Sequence, residues 1–231
     1  MIPATDSIRL TETPTASPLR REPRQKRSRE RVAAILTSTA ELLEESGYQS
    51  LTTASIAEHA GLSVSSLYQF FANVDAIIVE LVREWTQQFD AVLAQVEVPT
   101  LDDFPASLDS IVDSYVRFFR ETPGFRAVYF SSSLRGEARS LDKQSNARLA
   151  NLLATSWASL LDDPPADLET ADLETTDLHT AALVTVHIAD SLLGLAFRVD
   201  PSGDDDTITE AKRAVRAYLT SRIPALWESG V

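Results

Sequence analysis

The stretch Thr52-Thr53-Ala54-Ser55-Ile56-Ala57-Glu58-His59-Ala60-Gly61-Leu62-Ser63-Val64-Ser65-Ser66-Leu67-Tyr68-Gln69-Phe70-Phe71 leaves the chain little choice of local fold. It reads as two short helices joined by a tight turn. Thr52 or Thr53 caps the first, its hydroxyl accepting from the free amides of the opening turn. Ile56, Ala57 and Ala60 then share one apolar face. Gly61 supplies the left-handed residue that ends this helix, Leu62 plugs the turn, and Ser63 caps the second helix. Val64, Leu67 and Phe71 form its inward face. Ser65, Ser66, Tyr68 and Gln69 remain outside; none of them needs a core. This is the layout of a helix-turn-helix whose second helix enters the major groove. Small hydroxyls let the backbone approach phosphate, Tyr68 can donate to phosphate, and the Gln69 amide can read an adenine edge. On this pattern alone, a helical hairpin inside a core remains an alternative.

The matched spacings extend further, from about Lys26 to Trp85. A first helix ends in Gly47-Tyr48. Thr52-Thr53-x-x-Ile56-Ala57-x-x-Ala60-Gly61-Leu62-Ser63 follows, then Leu67-Tyr68-x-Phe70-Phe71-x-Asn73. This run resembles the DNA-binding domain of the TetR (TetR/AcrR-type) family of transcriptional regulators. The resemblance implies an all-α fold of about nine helices. A three-helix DNA-binding domain would span 23–74 and a larger helical ligand-binding and dimerisation domain 75–231. It further implies a homodimer, most often a repressor released from its operator by a small effector. A cytoplasmic protein is expected from the lack of a signal-peptide apolar region and of a membrane span. The family commonly carries a lysine after the Asn, where it meets phosphate; here that residue is Val74. A phosphate contact is then missing, or the basic residues from Arg24 to Arg29 supply it.

The net charge of −13 and pI near 4.6 argue against nucleic acid only while the charge is averaged. From Arg20 to Arg31 seven basic side chains meet two acidic ones, a local +5 that leaves −18 elsewhere. A local basic patch sets phosphate affinity, and an acidic body suppresses non-specific binding. A solvated tail would also read this way, but the run leads straight into the helix-turn-helix. Arg24, Lys26 and Arg27 therefore join Thr52, Thr53, Ser63, Ser65, Ser66, Tyr68 and Gln69 as candidate DNA-contacting residues.

Residues 1–22 are rich in Thr, Pro and Ser without periodicity and read as a disordered tail. Helices are expected over about 28–46, 75–94, 106–121, 125–130, 136–161, 177–199 and 207–224, besides the two short ones. A five-residue repeat over 166–180 (Ala-Asp-Leu-Glu-Thr, twice, then Thr-Asp-Leu-His-Thr) suits neither helix nor strand, and its first copies read as an acidic loop. The helix over 177–199 is apolar almost all round and must be covered on every side. The resemblance implies that it and the helix over 207–224 form a four-helix bundle with a second subunit. A central core helix would show the same pattern. No apolar run approaches the roughly 20 residues of a membrane span. The absence of cysteine excludes disulfides and thiolate metal sites.

A second domain far larger than the head needs for support implies a pocket between helices. Polar or aromatic residues on apolar faces are its candidate lining: Trp85, Phe89, Tyr115, Phe119, Arg126, Tyr129, Trp157, His187 and Asp190. An aromatic at helical spacing is more often core than ligand wall. Asp190 inside an apolar helix needs a partner, whether His187, Arg126, Arg198 or a ligand. The linings are mainly apolar, so the effector would be partly hydrophobic. No metal-ligand spacing, cofactor loop or nucleophile motif occurs, so neither an enzyme nor a resident cofactor is expected. An effector-independent DNA-binding regulator or activator remains the rival reading.

Overall fold

The computed structural model describes residues 18–20, 25–93, 100–131, 136–161 and 177–227. Arg24, most of the expected tail and the acidic repeats up to residue 176 lie outside the described residues. Among the described residues there are nine α-helices and no strand. These are α1 (Lys26–Ser46), α2 (Thr53–His59), α3 (Val64–Leu67), α4 (Val74–Leu93), α5 (Phe104–Glu121), α6 (Phe125–Tyr129), α7 (Gly136–Ala158), α8 (Asp177–Val199) and α9 (Asp205–Arg222).

The first three helices close on a small core. Val32, Ile35, Leu36 and Leu43 of α1 meet Ile56 and Ala57 of α2, Leu67 of α3, and Phe70 and Phe71 beyond it. Thr39 is also fully buried in α1, where its hydroxyl donates to the Ile35 carbonyl at 2.7 Å, so it carries no unsatisfied group inward. The head core does not stop at residue 74. Ile77, Ile78, Leu81 and Trp85 of α4 belong to the same cluster, and so do Val128 of α6 and Leu141 of α7. The three-helix head is thus fused to the second domain through apolar contact rather than hung from a linker.

In the second domain α8 lies at the centre, packed against α7 and α9 and touched by α5. Leu178, Ala181, Ala182, Val186, Leu193, Ala196 and Phe197 are its buried side. Its length and mean hydropathy of 1.6 do reach those of a membrane span, correcting the sequence expectation. Neighbouring helices bury 44% of that apolar stretch.

Local chemistry sets the helix ends. Asn73 caps α4, its side-chain oxygen accepting from the Ala76 amide at 2.8 Å. Asp204 caps α9, accepting from the Thr207 amide and hydroxyl. Those hydrogen bonds, first from the hydroxyl and then from the amide, hold the Asp204 carboxyl below the usual aspartate range. A depressed folded-state pKa means stability that is present above the ordinary aspartate pKa and is lost as pH falls through the depressed value. Asp204→Ala is therefore expected to lower the melting temperature at neutral pH. It should also flatten the melting curve's dependence on pH below about 4.

Candidate DNA interface and effector cavity

Both caps of the helix-turn-helix form as their spacing requires. Thr52 accepts from the Ser55 amide at 3.0 Å, and the Ser55 hydroxyl takes the Thr52 amide in return, a reciprocal box. Ser63 accepts from the Ser66 amide at 3.2 Å. Gly61 turns between the two helices at φ +66°. Leu67 and Phe71 are fully buried, which fixes the face that α3 turns outward.

The described candidates separate by exposure. Lys26, Arg27, Thr52, Ser63, Ser65, Tyr68 and Gln69 are exposed, while Thr53 and Ser66 are half-buried. The Ser66 hydroxyl turns back to Ser63 at 2.8 Å. Tyr68 lies within hydrogen-bonding distance of the Thr53 hydroxyl (3.2 Å), which ties α3 to the start of α2. Val64 departs from expectation: it is 38% exposed and stands one turn before Tyr68 on the same side. A helix of four residues is too short for apolar spacing to fix its face. Arg20 was also missed. Its amide donates to the Phe70 carbonyl at 2.8 Å and its guanidinium to the Tyr68 carbonyl at 3.4 Å. Leu19 packs on the head core, so residues 18–20 lie against the recognition element. The basic run contained the signal for Arg20. Val74 is half-buried against the same core, where a lysine would have reached outward.

A cavity of about 50 Å³ opens in the second domain between α4, α5, α7, α8 and α9. That is several times the roughly 10–15 Å³ one water needs. Phe89, Tyr115 and Asp190 line it with Leu108, Ile111, Val112, Leu149, Leu153, Val186, Leu193 and Val215; Asn146 and Thr185 add polar edges. The other six candidates lie elsewhere. Trp85 packs edge-on against Phe125, and Phe119 stacks on Phe197. Trp157 is sealed in the core at 1% exposure beside Phe104. His187 is exposed on the outer side of α8 and makes no pair with Asp190. Arg126 is ion-paired with Glu44 and also donates to the Pro201 carbonyl. Tyr129 lies behind the cavity wall, but its hydroxyl reaches Asp190.

Asp190 therefore finds neither an arginine nor His187. Its Oδ1 accepts from Tyr129 at 2.8 Å and from Tyr115 at 3.3 Å. Gly194, one turn on, leaves the space that the Tyr129 ring fills; a Cβ there would stand 3.1 Å from its hydroxyl.

The short helix α6 touches both the cavity carboxylate and the first helix of the head. At one end Tyr129 holds the cavity carboxylate. At the other, the Glu44 carboxylate of α1 accepts the Gly124 amide at 2.9 Å and pairs with Arg126. Between them Phe125 packs on Trp85 of α4 and on Phe118 and Phe119 of α5. Gly124 is left-handed at φ +72°, and a Cβ there would meet the Ala40 carbonyl oxygen at 2.6 Å. Among the described residues no cluster of potential metal ligands forms.

Comparison with known proteins agrees with this architecture. Residues 35–81 match the model of bacterial regulatory proteins of the tetR family. Residues 102–223, more than half of the chain, match that of the tetracyclin repressor-like C-terminal domain. A search of curated proteins returned no match. Among solved structures, a TetR-family regulator from Streptomyces coelicolor is 29% identical, with a TM-score of 0.60 over 84% of this chain and 99% of its own. A TetR regulator from Haloarcula marismortui is 17% identical and superposes at 0.64, covering 84% and 98%. FadR from Bacillus subtilis, solved with stearoyl-CoA, is 16% identical and superposes at 0.60, covering 81% and 97%. The last two likenesses bear on the fold alone. The capped helix-turn-helix, the helical second domain fused to it, and the two domain matches together make this chain a member of the TetR family of transcriptional regulators.

Proposed function

We propose that the protein is a homodimeric repressor that leaves its operator when a small, partly hydrophobic effector enters the cavity at Asp190. As a TetR-family member it is a DNA-binding regulator and not an enzyme. The observation that carries the gated reading is α6. One five-residue helix holds the cavity carboxylate through Tyr129 and the first helix of the head through Gly124 and Arg126. A ligand that pairs with Asp190 alters the carboxylate to which Tyr129 donates, and with it what positions α6. Glu44 then transmits the change to α1. The two conformations differ in the spacing of the paired heads, and ligand shifts the population between them. By linkage, operator binding weakens effector binding by the same factor.

Dimerisation is read through α8 and α9. On α8, Leu195 is 44% and Val199 63% exposed, with Val184, Ile188 and Leu192 half-buried nearby. A second copy would cover this apolar outer face and, across a two-fold axis, set two recognition helices about 34 Å apart, one DNA turn.

On DNA, Lys26, Arg27 and Arg20 take phosphates; Tyr68 and the exposed hydroxyls fix register; Gln69 reads a base edge. Val64 joins this set, since an exposed aliphatic beside Tyr68 suits contact with a thymine methyl. Lys26→Ala and Tyr68→Phe are expected to weaken binding on every sequence, and Lys26→Ala to reduce the salt slope by about 0.9. Gln69→Ala is expected to cost about 1–3 kcal/mol on the operator and little on random duplex. Anisotropy titrations of both duplexes at two salt concentrations test this. Equal losses for Gln69→Ala on the two duplexes would remove it from base reading.

A further inference from the structure

We infer that the cavity selects a small cationic amphiphile, an ammonium group on an apolar body, with Asp190 as its anchor. The inference rests on reading the cavity as the effector site. Among the described residues Asp190 is the one charged residue in the lining; no described Arg, Lys or His shares it. Ionised, it is an acceptor only, so Tyr115 and Tyr129 must both donate to it, and both do so at Oδ1. Among the described residues nothing donates to Oδ2.

The two arginines that could have neutralised Asp190 are held elsewhere. Arg126 is engaged by Glu44 and the Pro201 carbonyl, and Arg198 lies over the Phe130 ring at 5.4 Å. The cavity therefore holds one carboxyl group with one open acceptor oxygen, set among aliphatic and aromatic side chains. Burying that carboxylate under an apolar ligand is costly, and burying it under an anion is worse. An ammonium offsets both by pairing with the charge and donating to Oδ2. Phe89 and Tyr115, with ring centroids 4.9 Å apart, place π-density beside the same spot. The 50 Å³ volume favours a small body.

The test uses three probes of one shape on the full-length protein: 2-phenylethylamine, 2-phenylethanol and 3-phenylpropanoate, titrated by calorimetry. The amine is expected to bind at least about tenfold tighter than either of the others, the size of one charge-assisted hydrogen bond. Asp190→Asn, which keeps the shape and the tyrosine acceptor, is expected to bring the amine down to the alcohol. The wild-type ranking stands by itself should that variant fold poorly. Alcohol or propanoate binding as tightly as the amine would overturn the cationic class and leave the cavity as the effector site. Binding of none of the three at millimolar concentration would overturn both.

Discussion

Trp157→Ala is expected to cost about 3–5 kcal/mol of folding stability, the range for deleting a fully buried large aromatic. The side chain is 1% exposed. Its ring meets Phe104 edge-on at 6.1 Å, and Phe104 in turn meets Trp227 at 5.0 Å. Phe104, Ala154 and Leu226 around it are themselves fully buried, so the space left has no easy way to collapse. Urea unfolding checks the loss; Trp157→Phe, which keeps an apolar ring, should lose less. The experiment also decides a question of role. A tryptophan that walled the effector cavity would, on truncation, change ligand affinity more than stability. A loss of stability with unchanged affinity for a cavity ligand is the outcome expected here.

Gly124→Ala is expected to cost about 2–4 kcal/mol, for two separate reasons. The left-handed φ of +72° alone disfavours any Cβ by about 1–2 kcal/mol. The new methyl would also press on the Ala40 carbonyl oxygen at 2.6 Å and the Leu43 Cβ at 2.7 Å. Both neighbours belong to the buried side of α1, so neither is a flexible tip that can swing away. The strain falls where the head joins the second domain, and the Gly124 amide would no longer meet Glu44 squarely. Operator affinity should therefore drop by more than the unfolded fraction explains. Circular dichroism melting together with anisotropy on the folded fraction separates the two effects.

What could be read from the chain beforehand was local. The capping residues Thr52 and Ser63, the turn at Gly61 and the apolar stripe of α4 each depend on neighbours within a few positions. So does the long apolar helix α8, though its packing is not readable that way. Val64 failed because four helical residues do not define a face. The cavity lining was legible only in part, and for the opposite reason. Phe89, Tyr115 and Asp190 line it, and the other six candidates do not. Asp190 was rightly singled out as a carboxylate that needs partners, but Tyr115 and Tyr129 reach it from 75 and 61 positions away. Arg126 reads as a cavity candidate because it is a polar residue on an otherwise apolar face; Glu44, 82 positions earlier, captures it instead. Trp157 and Phe119 stand at helical spacings that fit a core more often than a ligand wall. Their burial among Phe104 and Phe197 makes them core. Side-chain identity thus marked where the chemistry lies, and the tertiary partners decided what each group does.

The central claim is specific, ligand-gated binding of DNA by a dimer. Fluorescence anisotropy on duplex from the gene's own upstream region, against random duplex of equal length at two salt concentrations, tests it most directly. The account predicts binding tighter by about a thousandfold or more on the former, with two or four chains per site. It further predicts release when a cavity ligand is added, and no release from the Asp190→Asn variant by a cationic one. Equal, strongly salt-dependent binding to both duplexes, unmoved by any ligand that binds the protein, would contradict it.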